Sequence, residues 1–282
     1  MKYDFLEHSK RDSVIRKDLE KLRRYGIKND LILEIYSSGF VRDANGNYFP
    51  VFPSAIMPRE GMVLHNLILN NQIERSLEIG FAYGLSTMFI CQGYADRDVK
   101  LLQHPNIHTT IDPLQEQLWK NIGLLNLERS GFQSMVRFIA EPSHIALPRL
   151  LEEGQLFDLV FIDGAHLTEF VMLDFFYTSR LLNPGGIIVF HDTCMPSVRK
   201  VITFVLRNTP NFRIEDSFFL DKVPMWKKFT RAISIFFQSP ADILVHVIPW
   251  LGRFPDLFSR NLCVLRKTEH PDFRCWNHYK SF

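Results

Sequence analysis

The chain has 282 residues, of which 46% are hydrophobic and 23% charged, enough for one large α/β domain with additions or for two small domains. Its formal net charge of +2 excludes the strongly basic surface typical of nucleic-acid binding, so we expect no nucleic-acid partner. The four cysteines lack metal-site spacing, no segment is apolar enough to span a bilayer, and the N-terminus is too charged for a signal peptide. We therefore expect a cytoplasmic protein without a transmembrane segment.

The first 57 residues are predicted to form an extension of helices and loops. Residues 1 to about 40 have the spacing of one or two amphipathic helices, and the turn-rich segment 42–50 follows as a loop or small hairpin. Pro58 is expected to open a helix that runs to about Asn70, because proline is tolerated in the first helical turn. We therefore predict an N-terminal extension over 1–57 and a main domain over 58–282.

From residue 76 onward strand and helix patterns alternate, which predicts a parallel sheet covered by helices on both faces. The aromatic segment 221–259 interrupts this order before a final strand at 261–266, and we interpret it as an insertion that covers the domain. A membrane-surface patch is one alternative, and an interface between two copies, formed by this insertion or by the N-terminal helices, is another. The remaining strands are predicted at 76–80, 107–112, 134–140, 157–163, 186–191 and 212–220, and the helices at 84–94, 114–129, 143–152, 167–182 and 196–207.

The turn after the first of these strands is the strongest sequence signal for a ligand. An apolar run ends at the acid Glu78, glycines follow at Gly80 and Gly84, and Ser86 lies where a helix begins. Glycine lets the backbone bend sharply and come close to a ligand, and the helix N-terminus offers free N–H groups. Ala82 replaces the middle glycine of the dinucleotide pattern, which disfavours an NAD-dependent oxidoreductase. An ordinary strand-to-helix turn is the alternative.

Acidic residues lie at the ends of four predicted strands, at Glu78, Asp112, Asp163 and Asp192. The carboxyl ends of parallel strands share one edge of the sheet, where ligands bind, so we expect a polar site there. Asp163 and Asp192 end adjacent strands, and two carboxylates so placed are costly to bury without a counter-charge. A divalent cation would supply that charge, and oxygen ligands favour Mg²⁺. His191 is a candidate third ligand, although strand alternation could turn its side chain away from Asp192.

Taken in this order, the motifs resemble those of the class I S-adenosylmethionine-dependent methyltransferases, and most closely the metal-dependent small-molecule O-methyltransferases of the catechol and macrolide-sugar types. The resemblance covers roughly residues 56–220 and the final strand. It implies a Rossmann-like, doubly wound, seven-stranded and mostly parallel sheet whose last strand is antiparallel, with N-terminal helices and a C-terminal aromatic insertion added. It also implies S-adenosylmethionine as the cofactor and a small-molecule hydroxyl as the methyl acceptor.

The same resemblance implies which residues contact the cofactor. The glycine turn would hold its methionine part, with Ser86 bonding the carboxylate, and Asp112 would accept hydrogen bonds from both ribose hydroxyls. Ser143 and its neighbour would border the adenine. A turn role for Asp112 and an N-cap role for Ser143 are the alternatives. The implied cofactor-binding residues are Glu78, Gly80, Ala82, Tyr83, Ser86, Asp112, Ser143, His144 and Asp163.

A cation and a general base are implied as well. Asp163, His191 and Asp192 would bind the cation, and His166 would take the proton of the acceptor hydroxyl. Catechol-type enzymes have an amide after the second acid and macrolide-type enzymes an acid just before it, whereas this chain has Thr193 and His191 at those places. The third ligand therefore stays open, and a histidine would admit Mn²⁺ or Fe²⁺ besides Mg²⁺. A capping role for His166 is the alternative.

Other functions fit the same scaffold, because a fold does not fix a function. They are a metal-independent methyltransferase, in which Asp163 and Asp192 are only polar strand ends, a hydroxylase-like enzyme and a non-catalytic cofactor-binding protein. No motif identifies the acceptor. We expect its site to be built from the first 60 residues, the loop after Asp192 and the insertion.

Overall fold

The computed structural model describes residues 18–24, 26–215 and 261–269, together with residues 272, 274, 275, 278 and 279. Three predicted parts therefore lie outside the described residues: the first 17 residues of the N-terminal helical segment, the end of the strand predicted at 212–220 and the insertion predicted at 221–259. Within the described ranges, no helix has both the length and the apolar character needed to cross a membrane.

The described elements follow the predicted alternation. Helices α1 (18–24) and α2 (Asp30–Ser38) precede a hairpin of β1 (Phe40–Arg42) and β2 (Tyr48–Pro50), as expected for the turn-rich segment. The later helices are α3 (Pro58–Asn70), α4 (Leu85–Arg97), α5 (Ile122–Ser130), α6 (Ser143–Glu152), α7 (Thr168–Leu181) and α8 (Pro196–Asn208). The later strands are β3 (Ser76–Ile79), β4 (His108–Ile111), β5 (Val136–Ile139), β6 (Phe157–Ile162), β7 (Leu182–His191), β8 (Phe212–Ile214) and β9 (Leu262–Lys267).

Strands β3 to β9 form a seven-stranded sheet in the order β5-β4-β3-β6-β7-β9-β8. The pairs β4–β5, β3–β6 and β6–β7 are parallel, whereas β9 is antiparallel to both β7 and β8. This is the doubly wound, Rossmann-like sheet with an antiparallel last strand that the resemblance implied, so the predicted fold class is confirmed.

Strand β6 shows how the sequence specifies a central strand. Its residues Phe157, Leu159, Val160 and Phe161 are all at most 1% exposed, as a parallel strand covered on both faces requires. The exception is Asp158, which accepts hydrogen bonds from the N–H groups of residues 74 and 75 at 2.9 and 3.1 Å and from Asn183 Nδ2 at 2.8 Å. The Asp158 carboxylate thus links β6 both to the residues just before β3 and to the start of β7.

The chain divides into two compact units by its internal packing. The first unit comprises residues up to 73 and 81–142, and in it α3 packs against α4. The second unit comprises residues 74–80 and those from 143 onward, and it contains β3 and β6 to β9. This division does not test the domain boundary expected between residues 57 and 58, which stays a prediction.

Two predicted segments differ from the structure. The helix expected over 114–129 begins only at Ile122, because residues 113–121 form successive turns. Asp112 Oδ1 accepts the N–H of Leu114 at 2.8 Å, and this local bond competes with helix formation. The predicted strand 186–191 begins earlier, because β7 already starts at Leu182. Its register with β6 shifts between Phe157 and Leu159, so the added residues form an irregular part of the strand.

Candidate active site

Gly80, directly after β3 in the second unit, has a φ of +90° and almost no free space beside it. A Cβ at this position would lie 2.0 Å from the backbone oxygen of Asp163. The N–H of Asp163 donates to the carbonyl of Ile79 at 2.8 Å, which keeps the two chain segments in close contact. The glycine is therefore required by the end of β6, a reason different from the ligand approach that the sequence suggested.

In the first unit, the rest of the glycine turn is held by backbone bonds and by Asp112. Gly84 has a φ of +78°, donates its N–H to the carbonyl of Phe81 at 2.7 Å and stands as N-cap of α4. Ala82 has a φ of +45°, which is uncommon for a residue with a Cβ. Asp112 Oδ2 accepts the N–H groups of Phe81 and Ala82 at 3.2 and 2.9 Å. Ser86 lies in the first turn of the helix that follows.

Three residues that sequence reasoning missed support the same turn. Gln115 Nε2 donates to the carbonyl of Ala82 at 2.7 Å, and Asn126 Nδ2 donates to that of Tyr83 at 3.0 Å. Gly123 lets α5 approach so closely that a Cβ there would lie 2.5 Å from Ala82 O. No motif marks these positions. Gln115 alone lies within a few residues of a predicted site residue, which is the one signal that could have suggested it.

The two oxygens of Asp112, a residue only 5% exposed, are used unequally. Oδ2 accepts three donors, the two N–H groups of the turn and Gln115 Nε2 at 3.3 Å. Oδ1 accepts the N–H of Leu114. Oδ1 has a single donor and therefore keeps capacity for a further hydrogen bond. Asp112 is thus a turn residue with one oxygen still able to accept another donor.

A cluster of four side chains, Asp163, His166, His191 and Asp192, lies at the ends of β6 and β7 in the second unit. Their ligand atoms all lie within 4.8 Å of one another, and no other group of three or more such residues has this geometry in the described part of the chain. His191 Nδ1 is 2.8 Å from Asp163 Oδ1. His166 Nε2 is 3.3 Å from both Asp163 Oδ1 and Asp192 Oδ2. The structure therefore brings together the predicted cation ligands and the predicted base.

Local backbone structure fixes the two loops that carry this cluster. Asp192 has a φ of +50°, a conformation that costs free energy for a residue other than glycine and is often found at functional sites. Ser197 Oγ donates to the backbone oxygen of His166 at 2.6 Å, which holds the loop after β6. The N-cap position of α7 is Leu167, so His166 is not the capping residue of that helix.

Burial and charge oppose each other in the cluster. Burial favours the neutral form of Asp163, but its interactions with His191 and His166 outweigh it, so the pKa of Asp163 is lowered. Burial also favours neutral His166, but its closeness to Asp163 and the negative charges of both aspartates outweigh it, so the pKa of His166 is raised. The two carboxylates thus attract positive charge, from a proton on His166 or from a cation.

Asn261, the residue before β9, reaches this cluster and was missed by sequence reasoning. Its Nδ2 lies 2.9 Å from Asp192 Oδ1 and 3.2 Å from His191 Nε2. Asn261 is about 70 positions from His191 in the chain. The antiparallel pairing of β7 with β9 places His191 opposite Leu262, and this brings Asn261 next to the cluster. A lone asparagine outside any motif carries no signal in the sequence, so only the sheet topology could have indicated its role.

The residues expected to border the adenine lie at the start of α6. Ser143 is the first residue of that helix, and it hydrogen-bonds the carboxylate of Asp174. Asp174 is 1% exposed, and burial raises its pKa to about 6 although the bond from Ser143 acts in the opposite direction. The rings of His144 and Phe170 are 6.0 Å apart. Glu78, at the end of β3, is fully buried.

Comparison with known proteins agrees with this fold and order of motifs. Residues 77–193 match a family model described as a methyltransferase domain, and this segment contains the glycine turn, Asp112 and all four cluster residues. The segment that matches this methyltransferase domain lies within the alternation of strands and helices that builds the seven-stranded sheet.

Individual relatives are distant. An uncharacterised protein, R132, of Acanthamoeba polyphaga mimivirus is 32% identical over 105 residues, which cover 33% of this chain and 47% of the relative. The chain thus spans about half the length of the curated relative that it matches. An O-methyltransferase from Bacillus cereus, solved in complex with SAH, has a TM-score of 0.54 at 18% identity, and the match covers 70% of this chain and 87% of that enzyme. A putative O-methyltransferase from Klebsiella pneumoniae has a TM-score of 0.52 at 18% identity, and the match covers 71% of this chain and 88% of that one. These two likenesses show the fold.

Proposed function

We propose that the protein transfers a methyl group from S-adenosylmethionine to a hydroxyl of a small molecule, with a divalent cation bound by Asp163 and Asp192 and with His166 as general base. The observation that carries the proposal is the cluster at the ends of β6 and β7, where two carboxylates and two histidines lie within 4.8 Å. The methyltransferase-domain match over the same residues supports the reaction class.

The cofactor-binding residues expected from the sequence remain our candidates. In the first unit, Asp112 has one acceptor position left on Oδ1, which suits a ribose hydroxyl. The start of α4 offers backbone N–H groups beside Ser86, which suit the carboxylate of the methionine part. The Bacillus cereus enzyme, which shares the fold, was solved with SAH, and this makes SAH the appropriate binding probe.

The donor set of the cluster fits a divalent cation. Two carboxylates held this close repel each other, and the charge of a cation would offset that repulsion. Carboxylate oxygens suit Mg²⁺, while an imidazole ligand would also admit Mn²⁺. When bound, the cation would lower the pKa of the acceptor hydroxyl by its positive charge. His191 lies in the same cluster, and its hydrogen bonds decide whether it binds the cation or a carboxylate.

His166 is placed to move the proton in this reaction. Bound S-adenosylmethionine would supply the methyl group: the acceptor oxygen would form the new C–O bond while the carbon–sulfur bond breaks and its electron pair stays on sulfur. The proton of the hydroxyl passes to His166 Nε2, which carries no hydrogen in the starting neutral ring and which the two aspartates make more basic. Asp163 and Asp192 then stabilise the protonated imidazole. The other cluster residues serve to orient this group, since positioning contributes much of the rate gain in such displacements.

The test measures methyl transfer from labelled S-adenosylmethionine to a panel of catechols and glycosides. We expect His166→Ala to lower kcat by about 100- to 10,000-fold, because general-base catalysis contributes that much, while calorimetry still shows SAH binding. The exposed His104→Ala variant is the matched control and should keep full activity.

Removal of cations with EDTA tests the second part of the proposal. We expect activity to fall and to return on addition of Mg²⁺ or Mn²⁺. Full activity in EDTA would contradict the cation role and favour a metal-independent methyltransferase. Full activity of His166→Ala would contradict the base, and SAH binding without transfer to any acceptor would favour a non-catalytic cofactor-binding protein.

A further inference from the structure

We infer that Asn261 is a positioning residue of the cluster, and that it makes His191 a hydrogen-bond donor to Asp163 instead of a cation ligand. The inference deepens the proposed function and rests on it for its catalytic meaning. Its geometric basis is the chain of contacts Asp192–Asn261–His191–Asp163, in which three consecutive distances are 2.9, 3.2 and 2.8 Å.

The orientation of the Asn261 amide follows from Asp192. An ionised carboxylate can only accept hydrogen bonds, so the Asn261 atom 2.9 Å from Asp192 Oδ1 must be the NH₂ group. The opposite orientation would bring the amide oxygen against a carboxylate oxygen. The NH₂ group has two hydrogens and can therefore serve a second acceptor as well.

The tautomer of His191 follows from that orientation. The same NH₂ group lies 3.2 Å from His191 Nε2, and since it can only donate, Nε2 must accept and carries no hydrogen. The ring hydrogen of His191 is then on Nδ1, which lies 2.8 Å from Asp163 Oδ1 and donates to it. Both ring nitrogens of His191, which is only 7% exposed, are thereby engaged. Neither nitrogen has a lone pair available for a cation.

This arrangement changes the predicted cation site. His191, expected from the sequence as the third ligand, instead orients the carboxylate of Asp163. Asn261 also holds Oδ1 of Asp192, so that Oδ2 is the oxygen directed at His166 Nε2, 3.3 Å away. The protein then offers two carboxylates to the cation and leaves the other positions to water and substrate, which is the way Mg²⁺ is usually bound.

The first experiment reads the tautomer of His191 by NMR of the whole protein labelled with ¹⁵N-histidine and freed of cations, with His191→Gln used to assign the signal. We expect a hydrogen on Nδ1 and none on Nε2, and the same state after Mg²⁺ is added. A hydrogen on Nε2, or a coupling between His191 nitrogen and ¹¹³Cd²⁺ used as a probe, would overturn the inference.

The second experiment tests the positioning role of Asn261. Asn261→Ala should weaken Mn²⁺ binding, measured by calorimetry, by about 10- to 100-fold, as loss of residues that orient metal ligands typically does. Asn183→Ala removes a comparable amide–carboxylate bond, from Asn183 to Asp158, and is the matched control with unchanged Mn²⁺ affinity. Equal Mn²⁺ affinity in the two variants would contradict the positioning role.

Failure of the proposed function can be told apart from failure of this inference. The tautomer is measured without cation, cofactor or acceptor, so its result does not depend on methyl transfer. An Nδ1–H tautomer in a protein that binds no Mn²⁺ would refute cation assistance while supporting the role of Asn261. Mn²⁺ binding in a protein whose His191 carries its hydrogen on Nε2 would support cation binding while refuting the role of Asn261.

Discussion

At the scale of single residues, Gly80 is required by backbone packing, independently of any ligand. The space where a side chain would stand is filled by the backbone of Asp163, and the φ of +90° already disfavours any other residue. The conformation of Gly80 and the position of the first residue of the cluster therefore depend on each other. The glycine at position 80, which the sequence suggests is needed for ligand approach, is needed here for the packing of the chain itself.

We predict that Gly80→Ala destabilises the protein by roughly 3 kcal/mol or more, because backbone strain and overpacking each cost about 1–3 kcal/mol. Gly154→Ala is the matched control, since Gly154 has a φ of +67° but no atom within 4 Å of its Cβ position. It should lose only about 1 kcal/mol, from strain alone. Denaturant unfolding followed by circular dichroism measures both, and equal losses would contradict the packing argument.

The residues of the candidate site that could be predicted from sequence are those that follow a strand. Asp163, His166, His191 and Asp192 were found because parallel strands place their carboxyl ends on one edge, and the structure brings these four side chains together. Asn261, Gln115 and Asn126 could not be found in this way. Their roles depend on hydrogen bonds to groups far along the chain or within irregular turns, which leave no periodic pattern in the sequence.

At the scale of secondary-structure elements, helix α7 carries a buried acid whose cost depends on pH. The pKa of Asp174 is about 6 in the folded state against 3.8 when exposed, because burial disfavours the charged form. Above pH 6 the folded protein must keep a buried carboxylate that the unfolded chain leaves in water. As pH falls from 6 towards 3.8, the folded state takes up a proton first, so this residue destabilises the protein less.

We therefore predict that Asp174→Asn is more stable than the wild type at pH 8, by up to about 3 kcal/mol, the free energy that corresponds to this pKa difference. The advantage should shrink by about 1 kcal/mol at pH 5. Urea unfolding at both pH values measures it, with the exposed Asp30→Asn as control for the loss of one negative charge. An advantage that grows towards pH 5 would contradict the sign of the shift.

The bounds of the elements were predictable where apolar periodicity is strong and unpredictable where side chains bond to nearby backbone. Helix α6 has the predicted bounds 143–152, and β6 differs from its prediction by one residue. The helix expected over 114–129 lost its first half because Asp112 binds the N–H of Leu114 and because residues 120 and 121 adopt left-handed conformations. Such local bonds outweigh a helical pattern in the sequence.

At the scale of the whole molecule, cofactor binding should be visible as stability. A ligand that binds only the folded state adds about 2.7 kcal/mol at a concentration of 100 times its Kd. We predict that SAH raises Tm by several degrees and that NAD⁺ at the same concentration does not, because Ala82 departs from the dinucleotide pattern. Differential scanning fluorimetry measures both, and a larger shift with NAD⁺ would contradict the assigned ligand.

The position of β9 within the sheet has a consequence for how the protein is made. The strand is the last of the sheet to leave the ribosome, yet it lies between β7 and β8, and it carries Asn261 at its start. During synthesis β8 has no neighbour to pair with, and β7 presents a long hydrophobic edge, until residue 267 has emerged. The nascent chain therefore exposes this edge from the synthesis of β7 until that of β9, and chaperone binding to the edge of β7 would be expected during that interval.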